Sequence, residues 1–155
     1  MKYYTSYFYN LRFLKPYQIP MSTAAWDPKW YYNNIKPGHV WKNSSGVYCG
    51  IRIPQLNPET CHASGCPCSE KNYHECRFLK EYDLGLRKID FPALLDYIRK
   101  VAEFIKTTEG FAEEPEIVLL VYEVPSNPCS ERVAIQELFR RNGIEIEEYV
   151  PEKKK

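Results

Sequence analysis

Two groups of residues in this chain have types and spacings that could do chemistry. The first is Glu123, which opens the turn Glu123-Val124-Pro125-Ser126-Asn127-Pro128 after the apolar run Ile117-Val118-Leu119-Leu120-Val121-Tyr122, with Cys129, Ser130 and Arg132, which follow that turn. A thiol at the start of a helix meets unpaired N–H groups and a partial positive charge, which favour a thiolate or a bound anion. Arg132, one turn on, adds to that field, so Cys129 is expected to act as a nucleophile or anion-site thiol. Glu123 is the nearest general base or hydroxyl-binding carboxylate, and Ser6, Tyr7 and Ser130 are the expected ligand contacts. The alternative is that Cys129 is a small buried apolar residue and that Arg132 pairs with Glu123 as architecture.

The second group is Cys61-His62-Ala63-Ser64-Gly65-Cys66-Pro67-Cys68, followed by His74-Glu75-Cys76. Four cysteines and two histidines fall within sixteen residues, too dense for an unconstrained loop. The cysteines are separated by four, one and seven residues, which matches no standard finger. A structural zinc held by Cys61, Cys66, Cys68 and Cys76, or with His62 or His74 replacing one cysteine, is the expected role. An iron–sulfur cluster is the next reading, and disulfides or free thiols remain open.

These residues need elements to position them. Six apolar residues without alternation at 117–122 suit a strand buried on both faces, as in a parallel sheet, and the helical pattern that follows runs over 129–142. Arg140, Arg141 and Gly143 close that helix with dipole-matching charges and a left-handed cap. Asp90 and Pro92 open another helix whose residues Phe91, Leu94, Leu95, Ile98, Val101, Ala102 and Ile105 recur at spacings of three and four. Strands are expected over 3–8, over 19–24 at a sheet edge because of Pro20, over 46–53, and over 144–150. Trp26, Trp30 and Trp41 crowd the first third of the chain, where core packing is expected ahead of a stacking platform. The fold class is α/β, three-layered, with a mostly parallel sheet. One domain over 1–150 carries a cysteine- and histidine-rich insertion at 54–80, and 151–155 is a charged tail.

Two sets of stretches carry a family resemblance. Thr5-Ser6-Tyr7-Phe8-Tyr9-Asn10-Leu11, Pro20-Met21-Ser22 and Pro28-Lys29-Trp30, together with Leu120-Val121-Tyr122-Glu123 and Cys129-Ser130-Glu131-Arg132, resemble the domain of unknown function 488 family. The resemblance covers both ends of the chain and spares the middle. It implies a compact three-layer α/β fold in which the amino-terminal strand joins the parallel sheet, and a shared site built on the Tyr-Glu, Cys and Arg signature. It implies no reaction. The chain departs from the pattern at Val121, where many relatives carry cysteine, at Ser130, where they carry histidine, and at Ala25, where a basic residue is common.

Composition narrows the function classes. With 21 basic and 20 acidic side chains the net charge is +1, and the basic surplus expected of a phosphate-neutralising nucleic-acid binder is absent. No apolar run reaches the roughly 18–20 residues of a membrane span, and the tyrosines at 3, 4, 7 and 9 break any signal-peptide core. A cytoplasmic protein is expected. Two functional classes follow: an enzyme or binding domain for a phosphorylated or nucleoside-like small molecule, or a non-catalytic nucleic-acid or protein interaction module stapled by a metal.

Overall fold

A computed structural model of the chain describes residues 1–31, 42–44, 46–58, 77–123, 125 and 130–151. Its centre is β3 (Glu116–Val121), whose Ile117 to Val121 are fully buried. The alternation of a strand sends Ile117, Leu119 and Val121 into one apolar cluster and Val118 and Leu120 into a second. A run with no polar residue is what two buried faces require.

β1 (Tyr3–Tyr7) and β2 (Gln18–Ser22) flank β3, and β4 (Glu147–Glu148) lies outside β1, giving the order β2-β3-β1-β4. Every pairing is parallel, with Tyr3 and Ile19 both level with Ile117. β2 is an edge strand, where Pro20 costs no ladder bond.

Three helices, α1 (Arg77–Leu86), α2 (Phe91–Glu109) and α3 (Arg132–Arg141), all contribute to the first cluster and so cover one face. In α2 the Asp90 Oδ1 accepts from Ala93 N at 3.1 Å, and Gly110 ends the helix with φ +75°. The opposite face is covered by a 3-10 turn (Phe8–Phe13) and by irregular chain carrying Ala24, Tyr31 and Cys49. The layers are therefore helix, sheet and irregular chain. Only ten residues separate β1 from β2, which leaves a 3-10 turn where a longer connection would hold a helix.

Several expected bounds shift. α3 begins at Arg132, and residues 126–129 lie outside the described residues. The strand expected over 46–53 is reduced to isolated bridges at Tyr48 and Arg52, and that over 144–150 to two residues. α1 was not expected. It takes up the end of the predicted insertion at 77–80, while Pro54–Leu56 at its start forms a short 3-10 turn. Leu56 and Leu79 are fully buried, so both flanks of the cysteine-rich stretch belong to the core. Its Cys61, Cys66, Cys68 and Cys76 lie outside the described residues, as do residues 152–155 of the expected tail. Among the described residues no helix is long and apolar enough to cross a membrane.

Candidate functional site

The direction of the connections locates a crevice. The helices between β2 and β3, and α3 between β3 and β4, lie on one face and carry the chain across the sheet in the same direction. The β1 to β2 link runs back the other way and lies on the opposite face, through Phe8 and Leu11. A constant crossover hand requires this arrangement. The neighbouring strands β1 and β3 thus release the chain to opposite faces at their carboxyl ends, which is where open α/β sheets take ligands.

On the helix side of this crevice stands a chain of polar contacts. Gln136 Nε2 donates to Thr5 Oγ1 at 2.7 Å, and Thr5 Oγ1 donates to Glu148 Oε1 at 2.9 Å. Arg132 Nε lies 2.8 Å from the same Glu148 oxygen, an ion pair whose angle falls short of a hydrogen bond. A second guanidinium nitrogen donates to the Glu123 carbonyl at 2.8 Å, and the arginine side chain is only 5 % exposed. Arg132 thereby ties the exit of β3 to α3 and β4. Its charge is matched by Glu148, whose own carboxyl is raised by burial despite that arginine. Ser130 Oγ accepts from Arg132 N at 3.2 Å and serves an open amide at the helix start.

Beside Arg132 lies a pair of carboxyl groups. Glu131 is buried, and loss of solvent followed by the proximity of Glu123 pushes it up to about 8, against the weaker pull of Arg132. The buried Oε1 of Glu123 meets no N–H or O–H donor among the described residues. The proton that Glu131 keeps at neutral pH is the donor at hand.

An aromatic strip borders the same edge. The Tyr122 ring, 43 % exposed, leans on Phe8 at 5.0 Å, and Phe8 meets Trp30 edge-on at 6.3 Å. Trp30 is 49 % exposed and Trp26 61 %, so the tryptophans that can be placed are surface residues rather than core.

Of the residues singled out from sequence, Glu123, Ser130 and Arg132 converge here, and β1 does lie beside β3, as Ser6 and Tyr7 require. Ser6 is fully buried and accepts from Asn10 Nδ2 at 2.9 Å, while Tyr7 stacks on Tyr9. Cys129 lies outside the described residues. The sequence reading missed Glu131, Thr5, Gln136 and Glu148. Gln136 carried one usable signal, since it stands one helical turn beyond Arg132 on the same face.

Fold and site together define an α/β protein with a polar and aromatic crevice at the exit of its central strands. No protein-family model, curated protein or solved structure matches the chain. Among the described residues no group of three or more histidine, cysteine or acidic side chains is arranged to hold a metal.

Proposed function

We propose that this chain is a small α/β domain that binds a nucleoside-like molecule, a planar ring bearing hydroxyl groups, at the carboxyl ends of β1 and β3. The observation that carries the reading is that the exposed Tyr122 ring, backed by Phe8, directly precedes in the chain Glu123, whose carboxyl pairs with that of Glu131. An aromatic face stacks a flat ring, and a pair holding one proton both donates to and accepts from ribose-like hydroxyls. A phosphate group suits the site less. Arg132 is committed to Glu148 and to the Glu123 carbonyl, and the charge on the carboxyl pair repels a second anion. Cys129, three residues before α3, is the nucleophile of this reading, and its reactivity decides whether the domain is an enzyme.

The test is a calorimetric titration with adenosine, guanosine, cytidine and uridine and with their 5′-monophosphates. At least one nucleoside is expected to saturate one site per chain and to bind more tightly than its monophosphate. Tyr122→Ala and Glu123→Gln are each expected to weaken it about tenfold or more, the loss of one stacking or hydrogen-bonding contact. Failure of all eight compounds to saturate would remove the reading. Cys129 is expected to react with iodoacetamide faster at pH 7 than a free thiol. An apparent pKa at or above about 8.5 would deny it the role of activated nucleophile.

A further inference from the structure

A second concavity, which shares only Glu148 with the polar contacts of that crevice, lies over the irregular-layer face of the sheet, with a volume of about 590 Å³. Tyr4, Phe13, Tyr17, Glu116, Glu147 and Tyr149 line it. Strand register explains why they meet. Gln18 is level with Glu116, Tyr4 with Val118, and Tyr4 also with Glu147. Residues level in neighbouring strands share a face, and Val118 belongs to the cluster on this side, so Glu116, Tyr4 and Glu147 all rise from it. Tyr149 donates to the Phe13 carbonyl at 3.2 Å and leans edge-on against Tyr4 at 5.8 Å, which sets one wall.

The lining is mixed in charge and leans negative, with Glu116, Glu147 and Glu148 against Arg12 and Lys15. Glu116 spends one oxygen on Gln18 Nε2 at 2.9 Å, which leaves the other for an occupant. Glu147 is exposed, and among the described residues no cation pairs with it. The Tyr4 phenol is raised by burial and then by Glu116 and Glu147, which reports the same field. Two cations also line the pocket, Arg12 and Lys15. Arg12 is turned to Tyr9, its guanidinium 4.0 Å from that ring and its Nε donating to the Tyr9 carbonyl at 3.0 Å, and Lys15 is exposed. Glu116 on β3 and Glu147 on β4 are two strand spacings apart and two residues out of level, roughly 12 Å between their backbones, with β1 and its Tyr4 between them.

We infer that this pocket binds a linear diammonium ligand of the polyamine class, one ammonium group at Glu116, the other at Glu147, and the methylene chain across the Tyr4 ring. Two carboxylates at that separation select against a single amine, and tyrosine faces favour both the cation and its alkyl chain.

Titration of the full chain with spermidine, putrescine and n-butylamine tests this. Spermidine is expected to saturate one site per chain, with n-butylamine at least tenfold weaker. Glu116→Gln keeps the acceptor for Gln18, and Glu147→Gln alters an exposed residue, so both variants should fold, as thermal unfolding will show. Each is expected to weaken spermidine about tenfold while leaving nucleoside binding unchanged. Absence of saturation, equal affinity for n-butylamine, or indifference to both substitutions would overturn the proposal. So would saturable binding of inorganic phosphate that is lost in Arg12→Ala, because the pocket would then be an anion site.

Discussion

Glu131 makes the strand-to-helix junction sensitive to pH. Its carboxyl moves from 4.5 to about 8 on folding, through burial first and Glu123 second. Between those values the folded chain holds a proton that the unfolded chain has released. Stability therefore falls as pH rises across the window, by up to about 1.4 kcal/mol per unit, and below it the group contributes no slope. Glu131→Gln keeps the shape and removes the titration. The variant is expected to unfold in urea with a flatter pH profile, and at pH 8.5 to exceed the parent by about 2–4 kcal/mol. A parent profile already flat from pH 5 to 8 would show that Glu131 is not held as an acid. Arg132 is the complementary case. Arg132→Met leaves Glu148 partly buried with no cation, at a cost of about 3 kcal/mol, while adding Glu148→Leu should recover most of it. Recovery in the double variant is the signature of a paired charge rather than of lost packing.

At the scale of elements, the chain announces what is local and conceals what is made at a distance. α2 was legible from Asp90 to Ile105 because cap and apolar stripe lie within one stretch. Asp90→Ala is accordingly expected to cost about 1 kcal/mol in urea unfolding and to leave nucleoside binding untouched. β3 was legible because both its faces are buried, so no polar residue interrupts it. α1 was not, for its stripe of Leu79, Tyr82 and Leu86 is narrow and is interrupted by an exposed Leu84 and by Gly85. β4 looked longer than it is, because the alternation of Ile144, Ile146 and the glutamates begins three residues before the two that pair with Tyr4 and Thr5. The site was half visible for the same reason. Glu123, Ser130 and Arg132 are neighbours in sequence, whereas Thr5 and Glu148 are 143 positions apart and meet only when β4 docks on β1. Nothing local in Glu131 distinguishes it from a solvated first-turn acid, since its burial comes from packing between distant segments.

For the whole molecule, the unplaced chemistry is the cysteine-rich stretch, and its flanks say what a metal there would hold. Leu56, in the helix-side cluster, and Leu79 are both fully buried, and Tyr82 donates to the Leu56 carbonyl at 2.7 Å. The core thus brings together, through Tyr82 and Leu56, the two flanks of the segment that contains Cys61, Cys66, Cys68 and Cys76. Apart from its cysteines the sequence between 59 and 76 offers little more than Ala63 and Tyr73 as apolar material, too little to pack alone. Zinc held by the four thiolates would order this segment and add little to the sheet and helices, which bury their own apolar faces. Purified protein is expected to contain about one zinc per chain by elemental analysis. Chelation should expose four thiols to titration yet lower the unfolding midpoint by only about 2–4 °C, the shift of roughly 1 kcal/mol in a chain this long. Protein free of zinc and iron, with the four thiols titratable from the start, would dismiss the metal. A collapse of the whole fold on chelation would instead make the segment part of the core, contrary to the way Leu56, Leu79 and Tyr82 already close its ends.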